Sequence, residues 1–397
     1  MTQPDPTDLD STGQGRREWA GRVGFGPGMD GAGARVDEGV SDFDAAQNTD
    51  LRSPDETSHS AASFAKKAGD IPLSILDLAQ VGNHQSVGDA IRGSVELAQK
   101  AESTGRFERI WFAEHHNMKH IASAATSVLL AHVASQTQTI RVGSGGVMLP
   151  NHSPLTIAEQ FGTLAELHPG RIDLGLGRAP GTDQRTWQAL RRDPHASDRF
   201  PQDVVELQGL LSDTSPLAGI EAIPGKGTHV PLYILGSSMF GAKLAAALGL
   251  PYAFASHFAP DQLQAAVYAY RSEFKPSAQL DAPYVIAALN VVAADTDDEA
   301  SAMYEKVLRS RVKMMATRFG MADRDFTDAE IDMLLDSPAG HQAKHMLTYT
   351  AIGGPERIAA YFEQFAEHAM ADELMMTNSA RGIDAQKRAL EIVGRIR

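Results

Sequence analysis

The sequence predicts an α/β fold in which eight parallel strands alternate with helices and close into a (β/α)8 TIM barrel. Short apolar runs of strand length alternate with longer segments of helical spacing from position 72 onward, and this alternation is typical of parallel strands. Eight such units favour a closed barrel over a doubly wound open sheet. The chain has 397 residues, and barrels of about 250 residues or more commonly form one domain.

Each predicted strand is a short apolar run bounded by polar or glycine-rich sequence. The strands are predicted at Leu73–Leu78, Ile110–Ala113, Thr139–Gly143, Arg171–Leu176, Leu232–Leu235, Tyr252–Ser256, Tyr284–Ala294 and Leu374–Thr377. The helices are predicted at Val87–Lys100, Ser123–Ser135, Pro154–Leu167, Asp203–Leu211, Met239–Leu248, Gln262–Phe274, Glu299–Met315, Glu356–Ala366 and Ala385–Arg395. Long loop insertions interrupt the pattern at Ala179–Pro201 and Ala316–Thr350, and the second is a candidate lid.

The first 69 residues differ in composition from the rest of the chain. They contain two leucines, no isoleucine and ten of the 35 glycines. Such a segment buries too little apolar surface to offset its ordering entropy. We therefore expect a disordered N-terminal extension over residues 1–69, followed by one barrel domain over residues 70–397.

The composition excludes several classes of function. Lysine and arginine total 36 against 50 aspartate and glutamate residues, for a net charge of −14, so we expect no nucleic-acid partner. Because the chain contains no cysteine, disulfides, thiolate metal sites, iron–sulfur clusters and cysteine nucleophiles are excluded. No apolar run approaches the roughly 20 residues of a membrane span, and no secretory signal is readable in the sequence, so we expect a cytoplasmic protein without a membrane partner.

A glutamate and two histidines follow the second predicted strand, at Glu114-His115-His116. In a barrel the carboxyl ends of the strands carry the chemistry. Alternation places Trp111, Ala113 and His115 on one face, so neighbouring His115 and His116 would not both reach one metal ion. A structural pair of histidines and a metal site are the alternatives to a catalytic imidazole. His115 is the preferred candidate catalytic residue, and His116 is the second.

Three glycines at the end of the third predicted strand, Gly143, Gly145 and Gly146, suggest close approach of the backbone to a flat ligand. Without side chains there, nothing keeps such a ligand away. A tight turn at the end of the strand is the alternative interpretation. The following Met148-Leu149-Pro150 does not open a helix, so the segment is not a dinucleotide-binding fingerprint.

Candidate anion-binding residues follow the fourth and fifth predicted strands. Arg178 stands among small residues, and an arginine there suits an anionic group, although a structural salt bridge is the alternative. Gly236-Ser237-Ser238 precedes a helix, whose free N–H groups favour a phosphate, although either serine could simply cap its own helix. Together, Arg178 and the serines would form a cradle for a phosphomonoester.

Considered together, these segments resemble the luciferase-like flavin-dependent monooxygenases, the superfamily of bacterial luciferase, and in particular its FMN-using branch. The resemblance covers roughly residues 72–380. It is carried by Trp111-Phe112-Ala113-Glu114-His115-His116-Asn117, by Ile140-Arg141-Val142-Gly143-Ser144-Gly145-Gly146-Val147-Met148-Leu149-Pro150, by Ser153-Pro154 with Ala158-Glu159-Gln160, by His168-Pro169-Gly170-Arg171-Ile172-Asp173-Leu174-Gly175-Leu176-Gly177-Arg178, and by Leu235-Gly236-Ser237-Ser238.

The resemblance implies a role for each of these site residues. It implies that His115 lies by the reactive edge of the flavin. It implies that the backbone of Gly145 and Gly146 lies against the isoalloxazine, often through a non-prolyl cis peptide. It also implies that Arg178 and Ser237 bind the flavin phosphate, flanked by the other residues of that turn, Gly236 and Ser238.

The resemblance also implies a reaction and its partners. The expected activity is oxidation of a small-molecule substrate with reduced FMN and dioxygen, in a homodimer served by a separate flavin reductase. A deazaflavin-dependent hydride-transferring oxidoreductase is the nearest alternative. A non-catalytic flavin-binding protein and a metal-dependent barrel hydrolase are more distant alternatives.

Overall fold

The computed structural model describes residues 64–82, 84–179, 183–193, 195–322 and 324–397. The expected disordered extension therefore lies outside the described residues, except for residues 64–69, which contact the barrel. The ammonium of Lys66 donates to the backbone carbonyl of Asp372 at 3.1 Å. The guanidinium of Arg271 lies 4.3 Å from the centroid of the Phe64 ring.

All eight predicted strands are present, and they form a closed barrel of parallel strands. The strands are β1 (Leu73–Asp77), β2 (Phe107–Phe112), β3 (Arg141–Met148), β4 (Ile172–Gly177), β5 (Leu232–Gly236), β6 (Tyr252–Phe254), β7 (Val285–Ala293), β8 (Thr350–Gly353) and β9 (Glu373–Asn378). Around the barrel, β1 to β7 follow one another in chain order, and β9 lies between β7 and β1 and closes the sheet.

The short strand β8 was not predicted. It runs parallel to the last four residues of β7, beyond the point where β6 stops pairing with that strand. Its last residue, Gly353, is followed by Gly354-Pro355, and this sequence is typical of a turn. The strand forms because β7 is longer than its neighbour and leaves backbone groups free for pairing.

Helices follow the strands as predicted, and those over 154–167 and 239–248 have the predicted bounds. The helices are α1 (Val87–Thr104), α2 (Thr126–Ser135), α3 (Pro154–Leu167), α4 (Gln184–Ala189), α5 (Phe200–Leu211), α6 (Met239–Leu248), α7 (Leu263–Glu273), α8 (Asp297–Arg318), α9 (Asp328–Leu335), α10 (Pro338–Met346), α11 (Pro355–His368) and α12 (Ile383–Gly394). No helix among the described residues is long and apolar enough to cross a bilayer.

Both predicted insertions contain helices. The first insertion, between β4 and α5, holds α4. The second holds α9 and α10, which pack against α8 around a separate apolar cluster that includes Val312, Ile331 and Leu347. The candidate lid is therefore a helical layer with a small core of its own.

Alternate strand residues fill the interior of the barrel. Trp111 and Ala113 belong to an inner apolar cluster with Leu76 and Tyr233. In the amino-terminal half of the interior, Arg109 forms buried ion pairs with Asp173, at 2.9 Å, and with Glu373, at 3.0 Å. Buried charges are tolerated when they are paired in this way, and these pairs occupy the end of the barrel opposite the candidate site.

Candidate active site

The candidate residues lie on or just after strands whose carboxyl ends meet at one end of the barrel. His115 and His116 follow β2, Gly145 and Gly146 lie near the end of β3, and Arg178 follows β4. Gly236 ends β5, and the two serines lead from it into α6. Parallel closure therefore brings segments that are distant in the chain to the same face.

His115 has one buried ring nitrogen that is available for a ligand. Its backbone N–H donates to the carbonyl of Ser123 at 3.0 Å, and α2 begins only at Thr126 rather than at the predicted Ser123. The ring Nδ1 is out of contact with solvent and has no hydrogen-bond partner among the described residues. Burial lowers the pKa of His115, so the imidazole is neutral at neutral pH and can exchange a proton with a ligand.

Glu114 connects the end of β2 to the end of β3. Its carboxylate accepts hydrogen bonds from the backbone N–H of Met148 at 2.9 Å, from the Asn151 amide at 3.2 Å and from the His152 ring at 2.9 Å. The ring of His116 contributes a further contact at 2.9 Å. Burial alone would raise the pKa of Glu114, but these hydrogen bonds outweigh it and lower the pKa to about 2.

The two neighbouring histidines therefore have different environments. The ring of His116 is bound to the Glu114 carboxylate, and this hydrogen bond raises the pKa of His116. The ring of His115 is held by no such partner and stays available. Both histidines were predicted as site residues, but no role was predicted for the Glu114 carboxylate, which binds the ring of His116 and not that of His115. The signal was present, since a glutamate directly precedes the histidine pair.

The glycine pair in β3 has no room for side chains. The Gly145–Gly146 peptide bond is cis, a feature that the resemblance implies. A Cβ on Gly145 would lie 2.6 Å from Cδ1 of Leu76, and a Cβ on Gly146 would lie 2.8 Å from the backbone oxygen of Gly175. Side chains at these positions would collide with the inner barrel and with β4, so the bare backbone is a packing requirement as well as a candidate ligand surface.

The side chain of Arg178 lies over the start of α6. Its guanidinium carbon is 4.0 Å from the centroid of the Phe240 ring, and Phe240 is the second residue of that helix. Arg178 is exposed and forms no ion pair with the described residues. A stacked arginine whose N–H groups are uncommitted is suited to bind an anion at this place.

The serines before α6 keep their hydroxyls free of capping. Ser238 occupies the N-cap position, yet its side chain accepts no hydrogen bond from the helix. Its backbone carbonyl instead accepts from the hydroxyl of Tyr252 at 3.1 Å. The backbone N–H of Met239 donates to the side-chain oxygen of Gln262 at 3.2 Å, and the other N–H groups of the first turn of α6 offer donors and a positive dipole end next to Arg178.

A second histidine, His257, lies just after β6. Its backbone carbonyl accepts from the amide of Asn290 at 2.7 Å, and Asn290 in turn accepts from the hydroxyl of Thr377 at 2.9 Å. The Nδ1 of His257 is buried and has no hydrogen-bond partner among the described residues. Burial, reinforced by the positive charge of Arg311 and by His115, lowers the pKa of His257 to about 3.

Arg311 also belongs to this region, although no sequence pattern singled it out. It lies in the middle of the long helix α8, where an arginine is ordinarily a solvated surface residue. Only the packing of α8 against the barrel brings its charge to the end of β6.

The arrangement provides an anion cradle at one side of the barrel end and neutral imidazoles at the other. Arg178 and the start of α6 form the cradle, while His115 and His257 present buried ring nitrogens. Between them, the glycine backbone of β3 allows a flat ligand to approach. Such a site can bind a phosphate-bearing planar cofactor and exchange protons with a reactant near the imidazoles.

Comparison with known proteins supports a relationship over the whole barrel. A sequence profile of the family described as "Luciferase-like monooxygenase" matches residues 71–373. A protein of Escherichia coli strain K12 named "Luciferase-like monooxygenase" is 44% identical over 325 residues, covering 81% of this chain and 96% of that protein.

Solved structures share the same barrel. Apo-MsnO8 is similar with a TM-score of 0.72 at 30% identity, covering 83% of this chain and 98% of that chain. The oxygenating constituent of 3,6-diketocamphane monooxygenase from Pseudomonas putida, in complex with FMN, has a TM-score of 0.63 at 17% identity over 82% and 97% of the two chains. An F420-dependent secondary alcohol dehydrogenase has a TM-score of 0.60 at 16% identity over 83% and 99%. At these identities the last two comparisons show the fold alone.

Proposed function

This chain belongs to the luciferase-like monooxygenase family and is an oxidoreductase, and from that premise we propose that it uses reduced FMN and dioxygen to oxidise a small organic substrate. A separate flavin reductase supplies the reduced FMN in this proposal. The observation that carries the choice of cofactor is Arg178, which is stacked on Phe240 at the start of α6 and has no acidic partner among the described residues.

The residues at the barrel end fit a flavin mononucleotide. Arg178, Ser237 and Ser238 would hold the phosphate, since a charged guanidinium and uncommitted hydroxyls stand at a helix N-terminus. Gly145 and Gly146 would present bare backbone to the ring system. When bound, reduced FMN supplies the electrons that activate dioxygen for transfer of one oxygen atom to the substrate.

His115 is the proposed catalytic residue. Its neutral ring has one buried nitrogen with no partner, and the carbonyl of Ser123 fixes the backbone that carries it. A neutral imidazole can accept or donate a proton within the pH range of the reaction. His116 and Glu114 act as positioning residues in this proposal, because their hydrogen bonds connect the loop after β2 to the end of β3.

Titration with FMN tests the cofactor assignment. We expect the full-length protein to bind FMN, and Arg178→Gln to weaken that binding by about tenfold to a hundredfold, since a charge-assisted hydrogen bond is worth about 1.5–3 kcal/mol. Arg381→Gln is the matched control, because Arg381 is an exposed arginine after β9 with no ion pair among the described residues. Equal FMN affinity in both variants would contradict the phosphate cradle.

Oxygen uptake separates the proposed reaction from its alternatives. With a flavin reductase, a reduced nicotinamide dinucleotide as electron donor, and FMN, the proposed enzyme consumes oxygen in proportion to product. A deazaflavin-dependent dehydrogenase would bind the deazaflavin and oxidise substrate without oxygen uptake, and a non-catalytic flavin protein would bind FMN without turnover.

His115→Ala should retain FMN binding and lose product, and full turnover in that variant would remove His115 from the mechanism.

A cytoplasmic homodimer is also part of the proposal. Val128 on α2 and Leu167 on α3 are 68% and 63% exposed, although both are large apolar side chains on neighbouring helices. In this proposal a contact between subunits covers these side chains. Light scattering on the purified protein measures the mass directly, and a monomer at micromolar concentration would contradict the dimer.

A further inference from the structure

Arg311 is a half-buried arginine without a partner in the described part of the chain. It lies on the side of α8 that carries the buried residues Leu308 and Met315, which are three and four positions away from it. Residues with this spacing share a helix face, so Arg311 projects into the packed side of α8. It forms no hydrogen bond or ion pair with any described residue.

The neighbouring arginine on the same helix shows the usual arrangement. Arg309 forms ion pairs with Glu305, at 3.1 Å, and with Asp332. Among the described residues Arg311 has no such acidic partner, and burial lowers its pKa. A guanidinium that is withdrawn from water without a counter-ion is costly, and such groups are commonly paired with a ligand.

The helix α8 packs against β7 and β8, and β8 pairs with the carboxyl-terminal residues of β7, so the helix that carries Arg311 lies at the end of the barrel that holds the candidate histidines. The positive charge of Arg311 contributes to the lowered pKa of the His257 ring. Both histidines have a buried Nδ1 without a partner. Among the described residues, the rings of His115 and His257 and the guanidinium of Arg311 are therefore three polar groups without partners in one region. The phosphate cradle at Arg178 belongs to different strands, β4 and β5.

We propose that Arg311 binds the carboxylate of the substrate, and that the substrate is therefore a small organic acid. A planar guanidinium matches a carboxylate through two parallel hydrogen bonds. The carboxylate would neutralise the unpaired cation and hold the rest of the substrate beside His115 and His257. This inference rests on the proposed function for the position of the reacting centre, but the anion site itself can be tested without turnover.

The test compares acids with alcohols of the same length. The full-length protein with added oxidised FMN is titrated calorimetrically with straight-chain carboxylates from acetate to octanoate, and with the primary alcohols from ethanol to octanol. We expect at least one acid to bind about tenfold or more tightly than its matched alcohol, as a charge-assisted bond predicts. Arg311→Gln should remove this preference, and Arg311→Lys should retain part of it.

Arg318→Gln is the matched control, because Arg318 is an exposed arginine at the end of the same helix with no ion pair among the described residues. This variant should keep the preference for acids. The proposal is overturned if no acid is preferred by the wild-type protein, if Arg311→Gln keeps the preference, or if Arg311→Gln loses FMN affinity instead. Failure of FMN to bind the wild-type protein would contradict the proposed function while leaving the acid preference measurable.

Discussion

Replacement of Glu114 by glutamine tests whether this carboxylate organises the end of the barrel. The side chain keeps its shape but loses its charge and one acceptor oxygen. In the structure, Oε2 accepts from the backbone N–H of Met148 at 2.9 Å, and Oε1 faces the rings of His116 and His152, each at 2.9 Å. Whichever way the amide is oriented, its NH2 group faces at least one donor that the carboxylate satisfied.

The expected loss of stability follows from these contacts. A donor left without its acceptor costs about 1–3 kcal/mol, and the surviving bonds lose the strength of a charged acceptor. Because Glu114 is only 1% exposed, water does not replace the lost acceptor. We expect Glu114→Gln to lower the free energy of unfolding by about 3–5 kcal/mol, as for other broken buried pairs.

Urea denaturation at neutral pH measures this loss, and Glu108→Gln is the matched control because Glu108 is an exposed residue of the same strand, β2. A second readout is the titration of the His116 ring by NMR. Its pKa is raised by the Glu114 carboxylate, so the midpoint should fall in Glu114→Gln. The reasoning is refuted if Glu114→Gln is no less stable than Glu108→Gln and the titration of His116 is unchanged.

Two further predictions concern acid stability and packing. The pKa of the His257 ring is about 3 in the folded protein and about 6.5 in the unfolded chain, so acid favours unfolding between these values. Between pH 7 and pH 5 the wild type should lose about 2 kcal/mol more of its unfolding free energy than His257→Gln. Urea denaturation at pH 7 and pH 5 measures this, and an identical loss in both proteins would exclude His257 as the cause. Gly146→Ala places a Cβ 2.8 Å from the backbone oxygen of Gly175 and should lower the unfolding free energy by about 1–3 kcal/mol. The control is Gly88→Ala, at an exposed position of α1, which should not lower it. Equal melting temperatures of the two variants would contradict the steric argument.

Much of the architecture could be predicted because strands and helices have local signatures. The strand at 285–293 is apolar except for Asn290 and is buried throughout, as expected for a parallel strand covered on both faces. The helix at 154–167 begins with a proline that needs no N–H donor in its first turn. The short strand β8 escaped prediction, because its existence depends on the unequal lengths of β6 and β7 rather than on its own sequence.

Some residues of the candidate site could likewise be predicted from local sequence, and others could not. The glycine pair, Arg178 and the histidine pair could be selected because each follows a recognisable strand and has an unusual composition. The bond between the Glu114 carboxylate and the Met148 backbone could not be predicted, since it depends on how the ends of β2 and β3 are placed beside each other. Arg311 had no signal, because a single arginine within a helix is ordinarily a surface residue.

Local patterning of apolar, glycine and polar residues was thus sufficient for the order of the elements, the barrel class and the positions at which chemistry could occur. The closure of the barrel decided which of these positions meet. Among the described residues it also decided that His115 and His257 keep a buried ring nitrogen without a partner and that the half-buried Arg311 has no counter-ion. The physical reason is that hydrogen bonds and desolvation act through space. Residues far apart in the chain acquire them only when strand pairing and helix packing bring their side chains together.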